Sequence, residues 1–225
     1  MKRILVTGGA GFIGSHTCLT LLENEYELYV LDSFINSSPK SLKKIEQILK
    51  DKNIKNKLHV YKGDLRNKAI LNEIFYDALL SGIPIQGVIH FAGLKAVKES
   101  VENPLMYWDS NVNSAINLFK VMEENNCKIL VFSSSATIYG LASDKPLKED
   151  SNISPINPYG STKVAIENIC NDVYNSSKNK WSIVNLRYFN PIGAHSSGLI
   201  GENPLGLPNN IFPIILDVAV GKEKI

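Results

Sequence analysis

Short runs of consecutive apolar residues alternate along this chain with longer stretches whose apolar positions return every third or fourth residue. The runs are Ile4–Val6, Leu28–Leu31, Leu58–Tyr61, Gly87–Phe91, Ile129–Phe132 and Ile183–Leu186. Their unbroken apolar character fits strands covered on both faces, where a half-exposed strand would alternate. Between them the spacing predicts helices near 12–24, 40–50, 67–81, 104–126 and 159–178. Pro104 after Asn103 suits the first position of a helix, and Gly82 ends the helix before it. Strand and helix in strict alternation predict an α/β fold, a doubly wound parallel sheet with helices on both sides.

After Leu186 the texture changes. Residues 190–210 are rich in Gly, Pro, Asn and Ser, which signals a long ordered loop or a crossing into a second domain. A last helix, Ile211–Val220, precedes Gly221. The reading therefore divides the chain into a first domain over 1–189 and the beginning of a smaller, incomplete one over 190–225. With 44% apolar and 20% charged residues the composition is that of a soluble globular protein. A net charge of +2 is too small to argue for nucleic acid or an anionic membrane. Cys18, Cys127 and Cys170 have no metal-ligand spacing and read as buried thiols in a reducing compartment. The opening Met-Lys-Arg-Ile-Leu-Val is broken by glycines too early for a signal peptide, so it reads as the first strand of a cytoplasmic protein.

Thr7-Gly-Gly-Ala-Gly-Phe-Ile-Gly14 directly follows the first predicted strand and opens the first predicted helix. There Gly8 and Gly11 permit a tight turn and close approach of the backbone to a pyrophosphate resting on the helix N-terminus. Gly14 lets that helix pack on the sheet. Asp32 ends the second strand, near the spacing at which a carboxylate grips an adenosine ribose. No arginine follows it immediately, so a free 2′-hydroxyl is favoured over a 2′-phosphate, and NAD over NADP. Together these make a Rossmann-like cofactor site. Asp64, after the third strand, suits an acceptor for the adenine amino group and equally a helix N-cap. Phe91, Ala92 and Gly93 end the fourth strand at the edge where such sheets meet their ligands, and Lys95 just beyond is placed to reach a cofactor ribose.

Tyr159-Gly-Ser-Thr-Lys163 puts a phenol and an ammonium on one helix face. A free phenol ionises near pH 10, and lowering that by about three units takes about 4 kcal/mol of differential interaction. One close lysine in a low-dielectric cleft, helped by the positive ring of an oxidised nicotinamide, could supply it. The product is a base for a hydroxyl proton while hydride leaves the same carbon. Ser135 or Thr137, following the fifth strand, can hydrogen-bond the reacting hydroxyl and share its proton with Tyr159. No Asp or Glu stands in 135–137 to expel a neighbouring hydroxyl, which argues against dehydration. His16, His59, His90 and His195 form no metal pattern.

The motifs around Gly8–His16, His90–Val97, Ser133–Gly140, Tyr159–Lys163, Leu186–His195 and Pro208–Ile211 resemble those of the UDP-glucose 4-epimerases, extended short-chain dehydrogenase/reductases. The resemblance runs over essentially the whole chain. It implies NAD contacts from Phe12, Ile13, Asp32, Asn36, Ser37, Asp64 and Leu65. Further contacts are implied from Phe91, Ala92, Gly93, Lys95, Asn111 and Phe189, besides Ser135, Tyr159 and Lys163. It implies UDP-sugar contacts from Thr137, Asn190, Asn210 and Ile211, and homodimers joined by the helices near 104–126 and 159–178. The family continues past the position of Ile225 with the last strand and most of the sugar-nucleotide domain, so the resemblance is to the N-terminal portion of such an enzyme, without its C-terminal third.

The activity implied is interconversion of UDP-galactose and UDP-glucose, in galactose metabolism. Tyr159 takes the proton of the sugar 4-hydroxyl, directly or through Ser135, and C4 is transiently oxidised. The flat keto sugar then turns before it is reduced on its other face. Epimerisation of another UDP-sugar, an N-acetylhexosamine or a glucuronate, is the alternative within the class. A truncated, inactive NAD-binding remnant is the alternative outside it.

Overall fold

The computed structural model describes residues 2–141, 146–176, 180–203 and 210–222, and in it every predicted strand forms. They are β1 (Arg3–Thr7), β2 (Glu27–Asp32), β3 (Leu58–Lys62), β4 (Gly87–His90), β5 (Ile129–Ser135) and β6 (Ser182–Tyr188). All neighbours run parallel, in the order β3-β2-β1-β4-β5-β6. This is the doubly wound arrangement, and its ligand crevice lies where the order reverses, beyond the carboxyl ends of β1 and β4.

Each face of the sheet carries its own core. Helices α1 (Phe12–Glu23) and α2 (Lys40–Asp51) cover one side, where Leu19, Leu22, Ile45 and Leu49 meet Val6, Leu28 and Val30. Helix α3 (Lys68–Leu80) covers the other side, joined after β4 by α4 (Val97–Glu102), α5 (Pro104–Tyr107), α6 (Ser114–Glu124) and α7 (Pro158–Asn175). There Leu71, Ile74, Leu118, Met122 and Ile166 pack on Leu5, Val88, Leu130 and Phe132. A final helix, α8 (Ile211–Ala219), stands one residue short of the predicted span. Of the motif at Pro208–Ile211, Pro208 and Asn209 lie outside the described residues.

The two edges of the sheet differ in use. At the amino edge the Arg3 guanidinium is spent on structure: Nε donates to Glu27 Oε2 at 2.9 Å and Nη1 to the Ala78 carbonyl at 2.7 Å. At the carboxyl edge the connections open into loops that carry the candidate residues. On the outer strand β6, Val184 and Leu186 leave half-covered apolar side chains on the face that α7 does not reach. No helix among the described residues is long and apolar enough to cross a membrane.

One prediction fails in detail. The single helix expected over 104–126 is three pieces, because a π-turn, Trp108–Asn113, separates α5 from α6. Widened turns of this kind are often found at functional sites. This one delivers Asn111 to the interior, where its Oδ1 accepts from Leu94 N at 2.8 Å. Its Nδ2 donates to the Leu94 carbonyl and to Thr162 Oγ1, each at 3.1 Å.

Candidate active site

The glycine loop turns at Gly8, whose φ of +68° is one that side chains rarely adopt. A Cβ there would lie 2.6 Å from Ala92 N, so the loop is pressed against the chain leaving β4. Gly14 is tighter: its Cβ would stand 2.2 Å from the Gly8 carbonyl oxygen. Backbone meets backbone at that point and neither can swing aside. Gly14→Ala is therefore expected to lower stability by about 2 kcal/mol, as overpacked cores do. Urea unfolding checks it; an unchanged midpoint would show the loop to be pliable.

Helix α1 begins at Phe12 with Gly11 as its cap, no side-chain hydrogen bond to its first amides and no acid in its first turn. Its positive end is thus kept for an external anion. Asp32 is buried and does more than the sequence suggested. Its Oδ2 accepts from Ala10 N at 2.9 Å, and its Oδ1 accepts from Phe34 N at 2.9 Å and from Ser37 Oγ at 2.7 Å. It thereby fixes the glycine loop, holds Phe34 in a left-handed conformation (φ +57°) and orders Ser37, with lone pairs remaining for a ribose. Asn36 beside it is exposed. Asp64 accepts from Arg66, at 2.6 Å between Oδ2 and Nη2, and this guanidinium holds its carboxyl below the usual range. The N-cap of α3 is Asn67, so the capping role considered for Asp64 belongs to that residue, while Leu65 turns into the core.

At the ends of β4 and β5 the remaining groups converge. Thr7 Oγ1 lies 2.7 Å from His90 Nδ1 and accepts from Ala92 N at 3.4 Å, which locks Phe91–Gly93 beside the glycine loop. Burial and the nearby charge of Lys163 push His90 down to about 3, so its ring is neutral. Tyr159, Lys163 and Ser135 are all buried. Thr137 donates to Ser135 Oγ from its own hydroxyl at 3.0 Å and from its amide at 3.3 Å. The Ser135 hydroxyl keeps its own proton to offer the neighbouring Tyr159 phenol, and that influence lowers the phenol's pKa. Serine and threonine, alternatives in the sequence, are consecutive links of one chain ending on Tyr159.

The lysine differs from expectation. Burial is the largest influence on Tyr159 and raises its pKa, with Ser135 pulling the other way. The Lys163 ammonium donates to the Ser133 carbonyl at 2.7 Å and sits 5.8 Å from the Tyr159 ring centre. Burial brings the ammonium itself down to about 8. Burial thus works against the charged form of both groups, raising the phenol and lowering the ammonium.

The last segment is brought in only partly. Asn210, at the N-cap of α8, donates through Nδ2 to Glu202 Oε1, and Glu202 lies 3.9 Å from Lys95 Nζ. Ile200 packs in the core beside Ala10. Phe189, Asn190 and Ile211 stand exposed at the rim. Between the start of α1 and residues 191–194 is a cavity of about 280 Å³, lined by Phe12, Ile13 and His16. The sequence reading missed Glu167, Ser134 and Arg187, an interlocked group one turn beyond Lys163 in which Glu167 and Ser134 are buried. The signal was present, since Tyr159, Lys163 and Glu167 follow one another at intervals of four.

Residues 5–225 match the model of the family described as GDP-mannose 4,6 dehydratase. The chain is 51% identical over 222 residues to UDP-glucose 4-epimerase 2 of Arabidopsis thaliana, covering 99% of this chain and 61% of that protein. It is 48% identical to the bifunctional UDP-glucose 4-epimerase and UDP-xylose 4-epimerase 1 of Pisum sativum, covering 98% and 61%. Among solved structures, UDP-glucose 4-epimerase from Bifidobacterium longum in complex with NAD+ and UDP superposes with a TM-score of 0.89 at 44% identity, covering 99% of this chain and 64% of that one. The chain thus spans about three fifths of the length of these relatives.

Proposed function

The chain belongs to the family described as GDP-mannose 4,6 dehydratase, and from that premise we propose that it is the cofactor-bearing part of an NAD-dependent UDP-glucose 4-epimerase. The reaction is interconversion of UDP-galactose and UDP-glucose by transient oxidation at C4, within galactose metabolism. The observation that carries this reading is the cluster of Thr137, Ser135 and Tyr159 hydroxyls, Thr137 bonded to Ser135 and Ser135 influencing the phenol, with no acid among residues 135–137. Expelling a hydroxyl from a neighbouring carbon needs such an acid, and Ser135, Ala136 and Thr137 supply none. The epimerase relatives support the same choice within the family.

The site's residues fit NAD. The uncapped α1 terminus and the close-packed Gly8 and Gly14 suit a pyrophosphate, and Asp32 a ribose. Phe12, Ile13, Asn36, Ser37, Asp64, Leu65, Phe91–Gly93, Lys95, Asn111 and Phe189 are assigned to the same ligand. Bound there, NAD would supply the acceptor for the C4 hydrogen and a positive ring near the phenol. Tyr159 holds or releases the hydroxyl proton, Ser135 and Thr137 orient it, and Lys163 stabilises the ionised phenol. Thr137, Asn190, Asn210 and Ile211 are assigned to the UDP-sugar, the last three where the domain proposed to begin at residue 190 meets the sheet. Mixing the full-length protein with NAD and UDP-galactose and following UDP-glucose tests the reading; no conversion with NAD bound would sink it.

We infer a homodimer from an apolar surface on α4, α5 and the turn that follows, where Val101, Leu105 and Trp108 are exposed, Leu105 by 82%. Sedimentation should show twice the monomer mass; a monomer at micromolar concentration would overturn it. A cytoplasmic setting is supported by three free, buried thiols.

A further inference from the structure

We propose that Glu167 is a positioning residue for the reaction, an internal counter-charge that keeps the buried Lys163 ammonium protonated at its post. The inference rests on the epimerase reading for its function, and on geometry for its existence. Tyr159, Lys163 and Glu167 occupy successive turns of α7 on one stripe, all buried. That stripe lies along the end of β5, where each of three consecutive serines faces one of its groups. The Ser133 carbonyl accepts from the ammonium at 2.7 Å, the Ser134 hydroxyl donates to Glu167 Oε1 at 2.5 Å, and Ser135 lowers the pKa of the phenol beside it.

A guanidinium holds the carboxylate from the far side. Arg187 of β6 donates from Nη2 to Glu167 Oε2 at 2.7 Å and from Nε to Oε1 at 3.1 Å. The same guanidinium reaches Tyr139 Oη at 2.8 Å and the Glu149 carbonyl at 2.7 Å, so it is itself pinned. The titratable neighbours of the pair are Tyr159 and Cys170 on α7, His90 on β4 and Arg187 on β6. His90 is neutral and buried, burial raises Cys170, and Arg187 is permanently charged, so Glu167 is the anion that acts on Lys163. Burial drives Lys163 toward its neutral form and the Glu167 charge opposes it.

The experiment reads Lys163 itself. In protein labelled with 13C-lysine, the Lys163 Cε resonance, assigned by its loss in Lys163→Met, gives the ammonium's midpoint without turnover. Glu167→Gln keeps the shape and removes the charge, and should lower that midpoint by about one pH unit, the coupling expected of charges one turn apart with a competing arginine. Glu167→Asp should keep it near the native value. Ser134→Ala removes a structural bond but no charge and should leave it unmoved. The alkaline limb of kcat/KM should fall by the same unit in Glu167→Gln alone. An unmoved midpoint in Glu167→Gln, or an equal shift in Ser134→Ala, overturns the assignment. A shifted midpoint in a protein that never converts UDP-galactose sinks the reaction instead and leaves the counter-charge standing.

Discussion

Tyr159→Phe should retain NAD and convert UDP-galactose about a thousand-fold more slowly than the native protein. The substitution deletes one oxygen from a ring that is 9% exposed and otherwise packed. What it removes from the fold is at most one polar contact of the phenol with Ser135, on the order of 1 kcal/mol. What it removes from the reaction is the end of the Thr137–Ser135–Tyr159 chain, and a positioned acid–base group contributes roughly a hundred- to ten-thousand-fold. Ser135 cannot replace it, because its oxygen already accepts from Thr137 twice. The assay is UDP-glucose production beside a fluorescence titration of bound cofactor. Turnover within tenfold of native would take the phenol out of the mechanism. Loss of cofactor would show that Tyr159 is a binding group first.

The parts of this fold that the sequence displays are those whose environment is uniform. Strands β1, β2, β4 and β5 are buried on both faces, so their apolar runs are unbroken. The polar end of β5 is different. Ser133–Ser135 remain in the strand because they pair with Leu186, Arg187 and Tyr188, a partnership set by register across the sheet. The break at Trp108–Asn113 is equally tertiary: Asn111 is drawn inward by Leu94 and by Thr162, 51 positions away. Of the site, the glycine loop, Asp32 and the Tyr-x-x-x-Lys stripe were visible because each is a local pattern. That Asp32 also braces Ala10 was not, since a loop closing back on a strand end leaves no periodic trace. Nor was the state of the Tyr159–Lys163 pair. Spacing shows that two groups meet, whereas burial decides how each titrates.

Burial of that cation leads to a second large effect. Replacing Lys163 by Met should raise stability at neutral pH while abolishing turnover. An ordinary lysine titrates at 10.5, and burial brings Lys163 down to about 8. Below pH 8 both the folded and the unfolded chain carry the proton, and the fold bears the full cost of holding it out of water. Between pH 8 and 10.5 the unfolded chain binds more protons than the folded one, so stability rises with pH in that window. Over the whole gap the gain is about 3 kcal/mol, at 1.36 kcal/mol per pH unit. Methionine has no proton to hold and fills nearly the same volume beside Phe132. At pH 7 the variant should therefore be the more stable protein by up to about 3 kcal/mol, less roughly 1 kcal/mol for the Ser133 carbonyl left without its donor. As pH climbs toward 10.5 the native chain should gain on it, and the other lysines and tyrosines, common to both proteins, cancel in the difference. Urea unfolding at pH 7, 8, 9 and 10 measures this directly. A difference that stays constant across the window would mean that Lys163 is well solvated where it sits. A variant less stable than native at pH 7 would mean that its bonds to β5 outweigh its desolvation, and that α7 is held by the lysine rather than strained by it.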